Sequence, residues 1–359
     1  MKRYGDLWSQ VIDYENLRLA HHNASKGKGF YKEVQEVNEN IDYYLTEIQK
    51  MLIEKTYRTS EYVIFKKKEK DKERDIYKLP YYPDRIVQWA LVQVIEPILM
   101  RKMTINTYSA IPGRGIHFGM KRVLKDLKNK EDTQYCLKLD IKKYYPSINH
   151  TLLKKKYASV IKDKDVLWLI DEIIDSTEGE KGIPIGNFLS QWSGNFFLSG
   201  FDHWIKEEMK VKKYHRYMDD IVILHGSKDY LRALFWKIKE YLNQLDLEVK
   251  ANWQIFPTYK RGLDFLGYRF FDGYTLLRKS SLKSMKKSLK KMRKKIENDG
   301  MLTQTLWCAY NSYRGWLKWC NSYRLSKKYF EPLFEKVIEY YVVNIKKGVF
   351  VPSCMIMEW

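Results

Sequence analysis

The chain has few cysteines and no long apolar run, and both absences exclude classes of protein. The cysteines show neither Cys-x-x-Cys spacing nor a paired histidine cluster, which predicts free thiols rather than a zinc site or a disulfide framework. They are Cys136, Cys308, Cys320 and Cys354. The longest apolar stretch, from Val87 to Met100, is interrupted by polar residues and a proline, so no transmembrane helix is expected.

Two further signals are missing. The start of the chain, from Met1 to Asp6, lacks the apolar core of a signal peptide. Gly113-Arg114-Gly115 is not followed by the Gly-Lys-Ser/Thr of a P-loop. We therefore expect a cytoplasmic protein that has no membrane partner and no P-loop nucleotide site.

Acidic residues are too few to balance the basic ones. The 359 residues include 65 Lys and Arg against 44 Asp and Glu, a formal net charge of +21. This excess predicts a polyanionic partner, nucleic acid first and an anionic membrane surface second. Aromatic residues make up 15% of the chain. Aromatic rings interleaved with cations are suited to stacking bases while lysines track phosphates, although core packing accounts for many of them.

A pair of adjacent aspartates ends the tetrapeptide Tyr217-Met218-Asp219-Asp220, which follows Tyr214-His215-Arg216. Asp219 and Asp220 precede the apolar run Ile221-Val222-Ile223-Leu224, which is typical of a buried strand. We expect a tight turn between two strands with carboxylates at its tip, a geometry suited to divalent metal ions and phosphoryl transfer. The alternative is ordinary turn chemistry, since Asp tolerates turn conformations.

A second carboxylate, Asp140, is predicted at the end of a strand. In the segment from Tyr135 to Ile141 the apolar side chains alternate with Lys138 and Asp140, which places Asp140 on the less apolar face. Two metal ions about 4 Å apart need carboxylates from separate elements that converge. The competing interpretation is an acid paired with Lys138 or Lys142, and the Asp219 turn favours the metal role.

The remaining pattern indicates three stretches: a helical start, a mixed middle and a helical, basic stretch from Ser280 onward. The start is helical, and the charged run from Lys66 to Arg74 is predicted to be mostly a solvated loop. From about Gln134 to Lys279 short strands surround a few helices. In the segment between Asp140 and Asp219, Gly186 permits close approach of the backbone to a ligand. Asn187 is a candidate N-cap of a following helix whose N-terminus would face the cleft.

In order along the chain, these motifs resemble the palm motifs of reverse transcriptases, most of all those of diversity-generating retroelements. The motifs are Asp140 with Tyr144-Tyr145, Ile185-Gly186-x-x-x-Ser190-Gln191, Tyr217-Met218-Asp219-Asp220 and Phe265-Leu266-Gly267-Tyr268, with Leu276 to Ser281 after them. Upstream, Arg74 and Asp84-Arg85-Ile86-Val87-Gln88 resemble the fingers motifs of the bacterial group II intron-like lineage. The resemblance covers roughly residues 60 to 290.

The resemblance implies a set of catalytic residues. Asp140, Asp219 and Asp220 would bind two Mg²⁺ ions, with Mn²⁺ as an alternative, helped by the Ile141 backbone carbonyl. Tyr145 matches the position of a steric gate that excludes a ribose 2′-hydroxyl.

The resemblance also implies nucleotide-binding residues. Arg74 would clamp the incoming triphosphate, with Arg85 and Lys78 as competitors, because a guanidinium matches phosphate oxygens. Ile185, Gly186 and Gln191 would lie near the nucleotide, and Phe265 to Tyr268 would form a primer grip. Many reverse transcriptases have a glutamine where Ile185 stands, and in the resembled family its replacement accompanies misincorporation opposite template adenines.

The C-terminal stretch fits a thumb. An apolar stripe at helical spacing runs through Leu282, Met285, Leu289, Met292 and Ile296, and lysines occupy much of the remaining surface. We expect four of these lysines to follow the phosphates of an RNA–DNA duplex. They are Lys283, Lys287, Lys290 and Lys294. The downstream aromatic residues from Tyr310 to Tyr323 are predicted to pack the thumb helices.

Together these features predict an α+β right-hand polymerase with an antiparallel-sheet palm, helical fingers and a helical basic thumb. Its predicted divisions are residues 1–134 (N-terminal extension and fingers, with part of the palm), 135–279 (palm) and 280–359 (thumb). The expected partners are template RNA, primer, RNA–DNA hybrid and dNTPs, and the resemblance adds a small basic accessory protein oligomer. The alternatives are an intron-, retron- or defence-associated reverse transcriptase and a non-catalytic RNA-binding scaffold.

Overall fold

The computed structural model describes residues 3–69, 72–300 and 302–346. Its helices are α1 (Trp8–Val11), α2 (Tyr14–Ser25), α3 (Lys32–Glu39), α4 (Ile41–Ile53), α5 (Ile86–Met100), α6 (Ile116–Leu127), α7 (Tyr144–Ser147), α8 (His150–Ala158), α9 (Lys164–Ile174), α10 (Phe188–Phe197), α11 (Ser199–His203), α12 (Lys228–Gln244), α13 (Thr258–Arg261), α14 (Lys279–Asp299), α15 (Gln304–Leu317), α16 (Tyr323–Tyr329) and α17 (Glu331–Lys346). The segment Tyr81–Arg85, in which Tyr82 has an extended backbone, leads into α5; a short π-helical segment, Trp204–Glu208, follows α11, and Glu131–Thr133 is a 3₁₀ turn.

The strands form three sheets. They are β1 (Val63–Glu69), β2 (Lys72–Lys78), β3 (Tyr135–Asp140), β4 (Lys213–Tyr217), β5 (Asp220–His225), β6 (Gln254–Pro257), β7 (Leu263–Phe265), β8 (Tyr268–Phe270) and β9 (Thr275–Leu277). β1 pairs with β2, the second sheet has the order β4-β5-β3-β6, and the third has the order β7-β8-β9. The β1–β2, β4–β5, β7–β8 and β8–β9 pairs are antiparallel. This mixture of helices and antiparallel sheets confirms the predicted α+β class.

The chain divides into two compact units. The first contains Met1–Gly119, Leu137–Leu224 and Lys228–Ile255, and the second contains Met120–Cys136, His225–Ser227 and Phe256–Trp359, as far as these ranges are described. The division into fingers, palm and thumb stays a prediction. No helix within the described ranges is long and apolar enough to cross a membrane. Cys136, Cys308 and Cys320 are free thiols, and Cys354 lies outside the described residues.

The core of the first unit is built around α5. Most of this helix is apolar on all sides, and it is buried because α2 and α10 pack against it. The second sheet contributes the buried strand residues Ile221, Val222, Ile223 and Leu224, as their continuous apolar run predicts. The core therefore holds two elements rigidly, the helix that contacts α10 and the hairpin that carries the paired aspartates.

The charged run from Lys66 to Arg74 is not a solvated loop, and that prediction is wrong. It belongs largely to the antiparallel hairpin of β1 and β2, in which Lys66 lies opposite Asp75 and forms an ion pair with Glu73 at 3.5 Å. Opposite charges facing each other across a strand pair stabilise the pairing. Counting charges along the chain missed this, because the compensating acids lie on the neighbouring strand.

The second unit contains the third sheet and the C-terminal helices. In α14 the central part of the predicted stripe, Met285, Leu289 and Met292, is buried, whereas Leu282 and Ile296 at its two ends are only half-buried. Tyr310 is also buried, and Trp316 stacks on Tyr268 at 5.5 Å between ring centroids. Tyr323 is instead 76% exposed, so the prediction that it packs the helices is wrong.

A fully buried ion pair joins α11 to β4. The Arg216 guanidinium donates from Nε to Asp202 Oδ1 at 2.7 Å and from Nη2 to Asp202 Oδ2 at 2.5 Å, and neither side chain is exposed. Tyr214 and Thr107 donate their hydroxyls to the same carboxylate at 2.5 and 3.0 Å. The contact with Asp202 raises the pKa of Arg216 above its ordinary value although burial opposes this, so the arginine is charged.

Replacing Asp202 by Asn should destabilise the protein strongly, because the Arg216 charge would be buried without a counter-ion. We expect a loss of about 3–5 kcal/mol in the free energy of unfolding, measured by urea denaturation. The control is Asp229→Asn, which breaks an exposed pair with Arg232 and should leave the midpoint nearly unchanged. Equal midpoints for the two variants would contradict the structural role of Asp202.

Candidate active site

The paired aspartates lie at a hairpin turn between β4 and β5. Tyr217 pairs with Asp220, so Met218 and Asp219 are the two turn residues, as the sequence predicts. Met218 has φ of +56°, a conformation usual in two-residue hairpin loops. Its carbonyl accepts a hydrogen bond from Arg216 Nη1 at 3.0 Å. The buried pair of Arg216 and Asp202 therefore fixes the turn that carries Asp219.

Asp140 ends β3, the strand next to β5, and the structure brings it close to Asp219. The Ile141 N–H donates to the Asp219 carbonyl at 3.4 Å. The Asp140 carboxylate forms an ion pair with Lys250, whose own N–H donates to the Asp140 carbonyl at 2.9 Å. Lys250 is half-buried in this pair.

The two lysines suggested as alternative partners of Asp140 have other acids. Lys138 lies 3.5 Å from Asp220 Oδ2, and Lys142 lies 2.8 Å from Glu248 Oε2. Asp220 begins β5, and its contact with Lys138 spans neighbouring strands. The structure thus brings Asp140 and Asp219 together and pairs Asp220 with a lysine.

Electrostatics reveal the closeness of the two carboxylates. Burial raises the pKa of Asp219, and the negative charge of Asp140 raises it further. The charges of Lys250 and Arg74 act in the opposite direction. Two repelling carboxylates in a partly buried site create a demand for a cation.

The donor set is of the type that Mg²⁺ prefers. Within the described ranges no group of three His, Cys, Asp or Glu side chains lies close enough to hold a metal ion. Asp140 and Asp219 nevertheless supply hard carboxylate oxygens on neighbouring elements, and Mg²⁺ is commonly bound through one or two carboxylates together with substrate phosphates. The residues therefore fit a divalent cation that enters with its substrate.

Tyr145 lies beside the turn. Its hydroxyl donates to Met218 Sδ at 3.7 Å, and burial together with the Asp219 charge raises its pKa, so the phenol stays protonated. Gly194 of α10 makes this contact possible, since a Cβ there would lie 3.2 Å from Met218 Sδ and 3.3 Å from Tyr145 Oη. A bulky ring is thus held next to the carboxylates.

The loop before α10 is pressed against the β1–β2 hairpin. The Tyr77 N–H donates to the Ile185 carbonyl at 2.9 Å. Gly186 has φ of +136°, and a Cβ there would lie 2.2 Å from the Tyr77 carbonyl oxygen, so only glycine fits. Ile185 is half-buried, and Gln191 is exposed on the first turns of α10.

The cap of α10 comes from another helix. Asn187 occupies the N-cap position, but its side chain makes no capping bond and donates to Tyr62 Oη at 2.7 Å instead. Gln88 Oε1, from α5, accepts from the Phe188 and Leu189 N–H groups at 2.8 and 3.2 Å. These two N–H groups are therefore occupied, and the idea that they face a ligand is corrected.

The candidate triphosphate ligands have different surroundings. Arg74 is exposed on β2, and its charge reaches Asp219. Arg85 is half-buried, its pKa is lowered by burial, and it acts electrostatically on Lys28. Lys78 lies 3.3 Å from Glu33. Of the three, Arg74 is the one whose charge the structure couples to the aspartates.

The remaining predicted residues belong to the second unit. Phe265 and Tyr268 pair in the β7–β8 hairpin and are fully buried, with Leu266 and Gly267 as its turn. A primer grip here would therefore act through the turn backbone rather than through these rings. Lys283, Lys287, Lys290 and Lys294 are exposed on α14, away from its buried stripe.

The comparison with protein families decides the family. The model for "Reverse transcriptase (RNA-dependent DNA polymerase)" matches residues 65–270, more than half of the chain. The chain belongs to the reverse transcriptase family. It is also similar to Protein YkfC of Escherichia coli (strain K12), at 25% identity over 56% of this chain and 63% of YkfC. The match thus spans less than two thirds of that relative.

Family membership supports the predicted enzyme class. Reverse transcriptases are nucleotidyltransferases that generally use divalent metal ions and act on a nucleic-acid template with dNTPs. The matched range contains every predicted site residue from Arg74 to Tyr268. The α14 lysines lie outside it.

Sequence inspection missed the structural roles of three residues that organise this reverse transcriptase site. Arg216 and Asp202 hold the turn from below, and Gln88 caps α10. A signal for Arg216 existed, since an arginine among buried strand residues needs a counter-ion. Gln88 was named only as part of the resembled fingers motif, and nothing local indicated its capping role or the role of Asp202, because their partners are distant in the chain.

Replacing Gln88 removes the side-chain oxygen that accepts from the first N–H groups of α10. We expect this to shift the loop that carries Ile185 and Gly186. We expect Gln88→Leu to lower the melting temperature by roughly 2 °C, the effect of losing a helix cap worth about 1 kcal/mol. Steady-state kinetics should show a raised KM for dNTPs with a smaller change in kcat.

The matched control for this change is Gln93→Leu on the same helix. Gln93 bonds Asn16 and Asn23 at 3.0 and 2.7 Å and makes no described bond to α10. This variant should lose stability while keeping the wild-type KM. An equal rise in KM for both variants would show that Gln88 acts only through general stability.

Because the pKa of Asp219 is raised, the direction in which its removal changes the stability of the fold can be predicted. A carboxyl whose folded pKa is raised stabilises the fold below its unfolded pKa, and this stability is lost as the pH rises through the folded pKa. At pH 7 the ionised Asp219 is therefore destabilising. Asp219→Asn should melt above the wild type in metal-free buffer.

Mg²⁺ should reverse the order of the two melting temperatures, so that the wild type melts above Asp219→Asn. Thermal melts should show wild-type stabilisation by Mg²⁺, because the ion binds only the folded state, and no such gain in Asp219→Asn. Glu248→Gln removes an exposed acid near Lys142 and should keep the wild-type response. A Mg²⁺ shift that persists in Asp219→Asn would place the ion elsewhere.

Proposed function

We propose that this protein is an RNA-directed DNA polymerase that makes cDNA from a template RNA. The observation that carries the proposal is the convergence of Asp140 and Asp219 from neighbouring strands, with mutual repulsion that a cation would relieve. The family match supports the reaction class. The net charge of +21 supports a nucleic-acid substrate.

The proposed roles follow from the chemistry of each residue. Asp140, Asp219 and Asp220, with the Ile141 carbonyl, would hold the divalent ions, which supply activation of the primer 3′-hydroxyl and neutralisation of the triphosphate. Asp220 would have to exchange its Lys138 contact for this task. Lys250 keeps the Asp140 charge compensated before substrate binds.

Other residues would select and orient the nucleotide. The Tyr145 ring, held against Met218, would exclude a ribose 2′-hydroxyl. Arg74 would contact the triphosphate bidentately, since its exposed guanidinium already acts on Asp219. In the second unit, the turn of Leu266 and Gly267 would contact the primer, and the four α14 lysines would contact duplex phosphates.

We further propose that the polymerase serves a diversity-generating retroelement and copies with errors opposite template adenines. The Ile185-Gly186 and Ser190-Gln191 pattern supports this role. Ile185 offers contact but no side-chain hydrogen bond near the nucleotide, which loosens geometric selection. A small basic accessory protein oligomer would be its partner in that system.

Primer extension tests the polymerase. With a mixed-sequence RNA template, a DNA primer, Mg²⁺ and four dNTPs, the wild type should make cDNA, and Asp219→Asn should lose at least about a thousandfold in rate. Asp229→Asn should retain full activity. If the wild type makes no cDNA even with cognate RNA and accessory protein, the RNA-binding scaffold replaces this proposal.

Sequencing the same cDNA tests the finer role. The wild type should concentrate errors opposite adenines, and Ile185→Gln should reduce them about tenfold if a new hydrogen bond restores discrimination of about 1.4 kcal/mol. Accurate wild-type cDNA would instead point to an intron-, retron- or defence-associated reverse transcriptase.

A further inference from the structure

The turn between β7 and β8 is held in place by contacts from outside its own hairpin. Phe265 and Tyr268 pair across the turn, and its two residues, Leu266 and Gly267, have φ of +53° and +84°. Positive φ at both positions is usual in two-residue hairpin loops, because the twist of such a turn matches that of the strands. The turn is therefore of a favoured type before the outside contacts are considered.

One edge of the turn is bonded to the segment after β9. The Arg278 N–H donates to the Gly267 carbonyl at 3.0 Å, next to the pair of Tyr268 and Leu277 in the β8–β9 ladder. The Arg278 guanidinium also forms an ion pair with Asp264 of β7 at 2.6 Å. These contacts fix the turn along its backbone edge.

One face of the turn is covered by a ring from α15. A Cβ at Gly267 would overlap ring carbon Cζ3 of Trp316 and would lie only 2.8 Å from its Cη2, so the ring fits only against glycine. The same ring stacks on Tyr268, with centroids 5.5 Å apart and an interplanar angle of 24°. The Tyr268 hydroxyl donates to the Trp316 carbonyl at 3.0 Å. Both the side chain and the backbone of Trp316 are thus attached to the hairpin.

Trp316 and Gly267 differ from the residues around the turn in their burial. Both are half-buried, whereas Phe265, Leu266 and Tyr268 are buried. The exposed part of the turn is therefore the backbone around Gly267, and the ring that lies against it also reaches the surface. A ligand at this turn would contact a backbone whose position Trp316 sets.

From this arrangement we infer that Trp316 is a positioning residue for the primer strand, because its ring holds the backbone of Leu266 and Gly267 in the conformation that contacts the primer. This role rests on the proposed function, in which this turn contacts the primer. A contact made by backbone atoms cannot adjust through side-chain rotation, so it depends on a turn that neighbouring residues hold in advance. Loss of the ring should therefore impair the use of the primer and leave the use of dNTPs unchanged.

Steady-state primer extension with the full chain tests this role, with the annealed primer–template and the dNTPs varied separately. Trp316→Leu should raise the KM for the primer–template about tenfold, while kcat and the KM for dNTPs stay within about twofold of the wild type. Trp316→Phe keeps a ring on Tyr268 and should bring the primer–template KM back to within about threefold. Tyr268→Phe removes only the bond to the Trp316 carbonyl and should raise the same KM about threefold. If Trp316→Leu does not fold, Tyr268→Phe decides, and an unchanged KM in it would overturn the inference.

The matched control is Tyr310→Leu on the same helix. The buried Tyr310 ring packs against Phe330 with centroids 5.0 Å apart, and its hydroxyl donates to the Phe330 carbonyl at 3.3 Å. This variant should lose stability and keep the wild-type KM for the primer–template. Hydrogen exchange at the Leu266 and Gly267 amides should be faster in Trp316→Leu than in the wild type and unchanged in Tyr310→Leu.

The outcomes separate this role from the proposed polymerase. An equal rise of the primer–template KM in Trp316→Leu and Tyr310→Leu, or no rise in Trp316→Leu, would overturn the role of Trp316 while cDNA synthesis by the wild type upholds the polymerase. Unchanged hydrogen exchange at the turn in Trp316→Leu would also overturn it. A wild type that makes no cDNA would instead refute the polymerase, and the primer role with it.

Discussion

The buried contact between Arg216 and Asp202 is the constraint on which the candidate active site depends. A guanidinium and a carboxylate without solvent exposure tolerate very little displacement, because each would otherwise be left with an unpaired charge. Arg216 also donates a hydrogen bond to the Met218 carbonyl, so the same rigid group also fixes the hairpin turn. Burial of the pair carries a desolvation cost in the free energy of folding, and in return it fixes the position of Asp219.

The aspartate site itself is balanced between repulsion and compensation. Asp219 is disfavoured as an anion by burial and by Asp140, while Lys250 and Arg74 partly offset this. Sites that need charge for function commonly accept such a cost. The lysine on Asp140 keeps the site folded without removing the demand for a cation beside Asp219.

Local sequence patterns predicted the elements whose character depends on neighbours along the chain. Alternation identified the strand ending at Asp140, the apolar run after Asp220 identified β5, and helical spacing identified α14. The β1–β2 hairpin was missed because its charges are compensated across strands. The capping role of Gln88 and the ion pairing of Asp202 were missed because these contacts join residues about 100 and 14 positions apart. A single sequence contains no local trace of such partners.

The bond between the Tyr77 N–H and the Ile185 carbonyl has a mechanical consequence. Gly186 leaves no gap beneath Tyr77, so the β1–β2 hairpin and the loop before α10 cannot slide past each other. A displacement of the hairpin, including the strand that carries Arg74, is transmitted directly to Ile185. The roles proposed for Arg74 in triphosphate binding and for Ile185 in base selection would thereby be coupled through one backbone contact.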